Sequence, residues 1–496
     1  MDFIHGEDRE QTLLLPDCIE DYIDENNPIR IIDAYINGLD LSALGFFGAE
    51  LKGTGRPPYN PKDLLKLYVY GYMNRIRSSR RLETESKRNL EVIWLLGKLS
   101  PDHKTISDFR RVNPAGLKKV FQDFVKLCVK LDLYGKELVA IDGSKFKAVN
   151  SKSRNFTKDK LEKRLKRLEE KIDEYLAKLD KTDEIEDGVE REKTASEINQ
   201  IIKDLSERKE HYQEYSAELE RTGETQKSLT DSESRLMPTN GKMDVCYNVQ
   251  TAVDAKNKLI AEFEITNKTS DMNQLMPMAG MVQEILELKT IAVAADAGYD
   301  SASDIAAVIQ AGAEPHIAGT DYDICVPVTE VEEPEITSHT KGRCVYLPNR
   351  NVAVCPMGKV LYPRFYKQST GQAIYHNSAA CKTCMCRCTT MKRGLCYELV
   401  KAEADFTLEH SDAGIMIRQV HIKPQKEIYK QRKSLSEHPF GTIKRSMDAG
   451  YCLVKGKRKV RGEFSLIFLA YNLKRVINIM GSRKLIESIG ALARSV

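Results

Sequence analysis

The chain has 496 residues and a mass of 56.2 kDa, enough for two or more domains. Hydrophobic residues make up 41% and charged residues 30%, a composition typical of a soluble globular protein. The 76 basic and 72 acidic residues leave a net charge of only +4, which excludes a general polycation but not local basic surfaces. The sequence has no signal peptide at its start and no apolar run of about 18 residues, so we expect no membrane span.

Residues 17 to about 131 predict a helical region. An apolar run at 64–72 follows Pro61, which is a favourable first residue of a helix. A basic stretch at 75–81 precedes a short helix that we expect to begin at Thr105 or Ser107 and to end in Arg110 and Arg111. This helix resembles the recognition element of a helix-turn-helix, and the clustered charge favours DNA contact. The alternative is an ordinary helical region with solvated arginines.

The next segments predict one strand and a pair of long helices. Residues 137–142 have the pattern of a short strand. From 161 to 179, apolar residues recur at alternating steps of four and three, which is a heptad pattern. A polar break at 181–188 precedes a second helical stretch that ends near Leu219. We interpret the pair as an antiparallel coiled-coil hairpin inserted into a domain; a parallel dimeric coiled coil is the competing interpretation.

The region from 244 to 318 predicts strands that alternate with helices. Strands at 244–254 and 259–265 pair around a turn at 256–258, and a helix follows at 271–288. A continuous apolar strand at 290–296, a helix at 301–311 and a short strand at 315–318 come next. This order, closed by a late helix that carries Glu437, predicts an α/β fold with an RNase-H-like catalytic core. A second insertion, rich in cysteine, would occupy about 320–405.

Three carboxylates stand out from the many acidic residues. Asp142 and Asp296 each close an apolar, strand-like run, and an acid in that position is costly to bury unless it is paired or bound to metal. Glu437 lies on the late helix, and three residues that suit a polyanionic substrate accompany it: Tyr429, Arg432 and Lys444. Such a set can hold two divalent metal ions against a phosphodiester. The alternatives are solvated surface acids, or Glu463 as the third acid.

Two further segments carry candidate ligands. Residues 455–461 include five basic side chains, so Lys457 and Arg458 could contact a DNA backbone or lie in a solvated loop. The cysteines, 12 in all, cluster late, and Cys381 and Cys384 have zinc-knuckle spacing. Cys355 and Cys388 could complete a structural four-thiolate zinc site. The alternative zinc ligands are Cys344, His376, Cys386 and Cys396. A metal-free loop is the alternative.

Several longer strings resemble the DDE transposases of bacterial insertion sequences, in the group with a Tyr-Arg-Glu-Lys signature around the last acid. The N-terminal strings are 55–61, 70–82, 89–97 and 101–111, and those of the core are 142–145, 247–254, 295–299 and 437–444. The resemblance implies that Asp142, Asp296 and Glu437 bind two Mg²⁺ or Mn²⁺ ions, with Tyr429, Arg432 and Lys444 facing DNA. The signature usually has three residues between the arginine and the glutamate. Here there are four, and Lys433 would restore three.

The sequence therefore predicts a transposase that binds the terminal inverted repeats of its own element and performs metal-dependent strand cleavage and strand transfer. We expect a dimer on double-stranded DNA, in the bacterial cytoplasm and associated with the nucleoid when bound. The alternatives are a non-catalytic or domesticated DNA-binding relative, and an RNase-H-like nuclease that only cuts. The predicted units are a helical DNA-binding domain at 1–131, a core in three parts at 132–157, 236–320 and 406–496, a helical insertion at 158–235 and a Cys-rich insertion at 321–405.

Overall fold

The computed structural model describes residues 18–49, 57–182, 188–239, 241–318, 320, 322–327, 344–355, 357–384, 396–400, 403–406, 417–422 and 425–493. Within these residues the architecture is mixed α/β, with a helical N-terminal region and two larger sheets. The α/β fold class predicted from the sequence is confirmed at this level. No helix in the described part of the chain is both long and apolar enough to span a membrane.

Six helices form the N-terminal region: α1 (Ile29–Asn37), α2 (Pro61–Met73), α3 (Ser79–Arg88), α4 (Leu90–Leu95), α5 (His103–Val112) and α6 (Pro114–Lys130). Helix α2 begins at Pro61, as predicted, because the Asn60 side chain caps it by accepting from the Lys62 amide. Helix α5 begins two residues before the expected start at Thr105. The reason is Asp102, whose carboxylate accepts from the amides of Lys104 and Thr105 and so supplies the cap.

A six-stranded sheet forms the centre of the molecule. Its strands are β1 (Leu138–Lys147), β4 (Arg235–Thr239), β5 (Lys242–Asp254), β6 (Ile260–Thr266), β7 (Ile291–Ala295) and β8 (Ala313–Ile317), and a separate two-stranded ribbon joins β2 (Asn155–Thr157) to β3 (Gln226–Ser228). The long middle strand β5 is antiparallel to β1, β4 and β6. Strand β1 is parallel to β7, which is parallel to β8. The order across the sheet is therefore β6-β5-β1-β7-β8, with β4 alongside the other end of β5.

Four helices accompany these strands: α7 (Lys158–Thr182), α8 (Gly188–Thr222), α9 (Leu275–Leu286) and α10 (Ala302–Gln310). Helices α7 and α8 pack against each other in opposite directions. Near the start of α7, the Arg164 guanidinium donates to the Tyr212 hydroxyl of α8. Further along α7, the Glu169 carboxylate pairs with the Lys209 ammonium at 3.1 Å. Helices α7 and α8 of one chain therefore run antiparallel, while the coiled-coil insertion stays a prediction.

The remaining strands lie outside the central sheet. They are β9 (Tyr322–Pro327), β10 (Val345–Leu347), β11 (Val352–Val354), β12 (Val360–Lys367), β13 (Gln372–His376), β14 (Cys396–Val400) and β15 (Ile417–Ile422). Strands β10 to β14 form a five-stranded antiparallel sheet in chain order, and β9 pairs with β15. The helices of this part are α11 (Ser378–Lys382), α12 (Glu403–Phe406), α13 (Lys426–Gly441), α14 (Lys457–Met480) and α15 (Ser482–Ala493), with a π-helical turn at Thr442–Ser446 after α13.

Helix α14 joins the N-terminal helices to the central sheet. It is buried on nearly every side from Val460 to Val476, as expected for a helix that is apolar around most of its circumference. Glu463 lies inside this interface, fully buried, and pairs with Arg77 at 2.8 Å. The Arg77 guanidinium also donates to the carbonyls of Asp448 and Tyr451. The helical region is therefore packed tightly against the remainder of the chain.

Candidate active site

Asp142 and Asp296 lie side by side at one edge of the central sheet. The last residues paired between β1 and β7 are Ala140 and Ala294, in parallel register. Each aspartate comes two residues later on its own chain segment, so the register places the two at the same level. Strand β1 does not end at Asp142, as the apolar run suggested, but continues to Lys147 because β5 stays paired with it.

Asp142 lies in an environment that disfavours its charge. The pKa of its carboxyl is raised to about 6, mainly by burial and in smaller part by the neighbouring Asp296. The hydroxyl of Ser436, the guanidinium of Arg432 and the Gly143 amide oppose this shift. A buried carboxylate beside a second carboxylate forms a site that a hard cation would stabilise.

Asp296 ends β7 and begins a 3₁₀ turn, Ala297–Tyr299. Its carboxylate accepts from the Gly298 amide at 2.8 Å, which caps that turn and orients the side chain. A Cβ at Gly298 would lie 2.9 Å from Asp296 Oδ1, so a larger residue there would displace this carboxylate. The turn therefore holds the second carboxylate beside the first.

Helix α13 covers these aspartates, but Glu437 does not contact them. Leu435 packs on Ala140 and Ala294, and Ser436 is the residue that reaches Asp142. The Glu437 side chain is 66% exposed and lies 4.0 Å from the Lys433 ammonium. No three His, Cys, Asp or Glu side chains within the described residues are arranged to hold a metal ion. The structure brings together two of the three predicted acids.

The predicted cationic companions lie close to the aspartates. Arg432 is half-buried, stacks on the ring of Tyr429 with 5.4 Å to its centroid, and acts electrostatically on Asp142. Lys444 donates to the Ser144 hydroxyl at 2.6 Å and to the Lys145 carbonyl at 3.0 Å, just beyond Asp142 on β1. Burial lowers the pKa of the Lys444 ammonium, while Asp142 counteracts that shift. Positive charge therefore lines one side of the acidic pair.

The two arginines expected to contact DNA occupy different environments. Arg110 is buried, donates to the Tyr72 hydroxyl at 2.9 Å and lies over the ring of Tyr68. This placement is inside the protein rather than on a DNA-facing surface, because the apolar face of α5 includes that position. Arg111 is 57% exposed, and its ion-pair partner among the residues that the structure describes is Asp108, one helical turn away. Arg111 is thus the one available to a ligand.

The basic segment at 455–461 forms the start of α14 rather than a solvated loop. The Lys457 amide donates to Glu233 at 2.8 Å, which fixes the first turn of the helix. Arg458 and Lys459 are exposed. These side chains point away from the buried face that α14 presents to the N-terminal helices.

Three of the four predicted zinc ligands lie in the described residues, whereas Cys388 and the alternate Cys386 lie outside them. Cys355 follows β11, and its sulfur accepts from the Lys359 amide at 3.3 Å and from the Met357 amide. Burial raises the pKa of the Cys355 thiol, and Cys381 and Cys384 are close enough to raise it further. These three cysteines lie near one another, but within the described residues they do not form a metal-binding group, so the zinc site stays a prediction.

The sequence reasoning missed a group of polar residues behind the aspartates. Asn248 and Gln250 of β5 and Tyr299 are completely buried. Asn248 and Gln250 donate to the carboxylate of Asp271, and the Tyr299 hydroxyl donates to the side-chain oxygen of Gln250. A run of buried polar residues on a strand that is otherwise apolar could have indicated them. Residues 247–254 are among the strings that resemble the DDE transposases, but the resemblance predicts no function for their side chains.

Two family models match the chain. A model described as Transposase domain (DUF772) matches residues 17–112, which covers the N-terminal helices through α5. A model described as Transposase DDE domain matches residues 354–477, which includes Glu437, Lys444 and most of α14. Comparisons with curated proteins and with solved structures returned no match. Two separate transposase models thus match the two ends of this chain, and together they support a DDE transposase of the insertion-sequence type.

Proposed function

We propose that this chain binds the terminal inverted repeats of its insertion sequence and catalyses DNA strand cleavage and strand transfer at the edge of an RNase-H-like core. The observation that carries the proposal is the alignment of Asp142 with Asp296 on adjacent parallel strands, beneath a helix that carries cations. The strand order β6-β5-β1-β7-β8, with only β5 running against its neighbours β1 and β6, supports the RNase-H-like assignment.

Asp142 and Asp296 would hold divalent cations, with Glu437 as the third ligand. Carboxylate oxygens suit Mg²⁺ or Mn²⁺, and the raised pKa of Asp142 indicates unsatisfied negative charge in this place. Glu437 follows Ser436 on α13, and among the described residues its exposed side chain has a long contact to Lys433. A pair of such cations would activate water and stabilise an in-line displacement at phosphorus.

The protein's own groups would bind and orient the DNA. The guanidinium of the half-buried Arg432 acts electrostatically on Asp142, so it would attract a phosphate held at the aspartates. In the first step water attacks a backbone phosphate, leaving a 3′-hydroxyl on the element end and a 5′-phosphate on the flank. In the second step that hydroxyl attacks a target phosphate, so one phosphodiester forms as another breaks. Two ends must meet, which favours a dimer on DNA.

The experiment uses the full chain and the inverted repeats found in the DNA flanking its gene. With Mg²⁺, a labelled duplex carrying the repeat should be nicked at its boundary, and a pre-cleaved end with a free 3′-hydroxyl should join to target DNA. Cleavage without joining would favour a nuclease that only cuts. Binding of the repeat without either reaction would favour a non-catalytic relative.

A structural zinc site of Cys355, Cys381, Cys384 and Cys388 forms a separate part of the proposal. The amide-capped sulfur of Cys355 and its proximity to Cys381 and Cys384 support it. This ion would stabilise the β10–β14 sheet and take no part in the reaction, since a closed four-thiolate site leaves no position open for substrate.

A further inference from the structure

A buried polar network lies directly behind the two aspartates, on the face of β1 opposite α13. Its centre is Asp271, in the segment that connects β6 to α9. Asp271 Oδ1 accepts from Asn248 Nδ2 at 2.7 Å and from Gln250 Nε2 at 2.7 Å. The Lys145 ammonium lies 3.3 Å from the same oxygen.

The network extends from Asp271 to the turn that carries Asp296. The side-chain nitrogen of Gln250 donates to Asp271. Its side-chain oxygen therefore faces the opposite direction, where it accepts from the Tyr299 hydroxyl. Tyr299 ends the 3₁₀ turn that Asp296 caps. Any change in the orientation of the Gln250 amide would therefore be transmitted to that turn.

The network also touches the residue that follows Asp142. A Cβ at Gly143 would lie 2.4 Å from Asp271 Oδ1 and 2.4 Å from Gln250 Nε2. At position 143, only glycine lets the side chains of Asp271 and Gln250 pack directly on the backbone of β1. The network thus contacts Gly143, which follows Asp142, and Tyr299, which ends the turn that Asp296 caps.

Complete burial of several polar side chains is costly unless each is hydrogen-bonded, and such networks hold their members in one arrangement. Nothing in the apolar packing of β5 requires an amide at 248 or 250. From this placement we propose that Asp271 is a positioning residue, which acts through Gln250 and Tyr299 to hold Asp296 alongside Asp142. This inference rests on the proposed function for its catalytic readout only.

The key comparison is Asp271→Ala against Asp271→Asn. Asparagine keeps one oxygen that can accept from Asn248 and Gln250, whereas alanine removes the acceptor that both donors share. The donors are then left with their longer contacts only, Asn248 to the Lys268 carbonyl at 3.3 Å and Gln250 to Asn248 Oδ1 at 3.2 Å. If Asp271 positions the aspartates, alanine should lower the single-turnover cleavage rate at saturating DNA about tenfold to a hundredfold, and asparagine should stay within about threefold of wild type. Affinity for the repeat should be unchanged in both variants.

A matched control is Asp304, a buried carboxylate nearby with a purely local task. It accepts from the amides of Leu275 and Met276 and so caps α9. Asp304→Ala should lower the melting temperature but leave the cleavage rate of the folded protein near wild type. Tyr299→Phe removes only the link between Gln250 and the turn, and should reduce cleavage as Asp271→Ala does.

A second readout needs neither DNA nor metal. Hydrogen exchange of residues 296–300 should speed up in Asp271→Ala and in Tyr299→Phe, but not in Asp271→Asn or Asp304→Ala. Unchanged exchange in Asp271→Ala would overturn the inference, and so would equal loss of cleavage in the alanine and asparagine variants, which would indicate a charge requirement. A wild-type protein that does not cleave would refute the proposed function instead, and the exchange experiment would still decide the role of Asp271.

Discussion

The hydroxyl of Ser436 lies within hydrogen-bonding reach of the Asp142 carboxylate, on the face of α13 that packs against the central sheet. Glu437, the next residue, lies about 100° further around the helix and is exposed to solvent. Helix α13, which carries the signature, therefore lies over Asp142 and Asp296. Its acid, Glu437, lies beside these two aspartates rather than between them. This relationship makes Glu437 the most informative position to test.

Glu437→Gln should abolish cleavage yet leave the free energy of unfolding within about 0.5 kcal/mol of wild type, because the side chain is exposed. Glu463→Gln should instead destabilise the fold by about 3–5 kcal/mol, since the buried Arg77 would lose its partner. Denaturant unfolding and cleavage of a repeat duplex distinguish the two. If Glu437→Gln cleaves normally, the third acid has been misassigned.

Asp142 should make both stability and activity depend on pH. Burial raises the pKa of its carboxyl in the folded state to about 6 from an ordinary value near 3.8. The folded protein therefore favours the protonated form, so this contribution to stability is complete below about pH 4 and is lost as the pH rises through about 6. Without metal, Asp142→Asn should be more stable than wild type at pH 7.5, by up to about 3 kcal/mol, and equally stable at pH 3.5.

Cleavage should respond to pH in the opposite direction, since only the ionised carboxylate binds a cation. The rate at limiting Mg²⁺ should rise with pH through about 6 and then level off. Saturating Mg²⁺ should shift that rise to lower pH, because the metal competes with the proton. A flat rate profile between pH 5 and 7 would contradict the role given to Asp142.

Substitution of Arg110 should affect the stability of the fold, whereas substitution of Arg111 should affect DNA recognition. Arg110→Ala should cost about 2–3 kcal/mol of stability, because it removes a buried guanidinium that bonds Tyr72 and covers Tyr68. Arg111→Ala should leave stability unchanged and weaken binding to the repeat by about 1–3 kcal/mol if it reads a base. Binding should be measured on the full chain, because α14 forms part of the support of this region. Equal binding by Arg111→Ala and wild type would move recognition elsewhere.

Lys457→Ala and Arg458→Ala should weaken binding to repeat and scrambled DNA alike. Contacts to phosphate carry no base information, and each one lost should reduce the slope of log affinity against log salt by about 0.9. Filter binding at a series of salt concentrations measures the slope. Lys171→Ala, at an exposed position of α7 outside the predicted DNA-binding domain, is a suitable comparison, and it should leave the slope unchanged.

Anaerobically purified protein should contain about one zinc per chain. Cys381→Ser should lower that content, and Cys18→Ser, which removes an exposed cysteine of the N-terminal region, should not. Elemental analysis of the two variants beside wild type is the measurement. Zinc that persists undiminished in Cys381→Ser would exclude the proposed ligand set.

Much of this protein could be predicted from local sequence patterns. The apolar runs that end at Asp142 and Asp296 predicted the strands β1 and β7, and heptad spacing predicted that α7 and α8 pair. Both are properties of neighbouring residues: continuous apolar runs suit a strand buried on both faces, and a heptad repeat suits a helix seam. The signature around Glu437 likewise predicted the helix that lies over the aspartates.

The tertiary structure decided which side chains these elements bring together. Arg110 and Arg77 look like surface arginines in the sequence, yet both are buried, because their partners Tyr72 and Glu463 come from distant parts of the fold. Asp271 was overlooked for the same reason: its partners lie more than 20 residues away, on β5. Local patterns determine which segments become helices and strands, but hydrogen bonds and ion pairs depend on which segments meet, and that is a property of the folded chain.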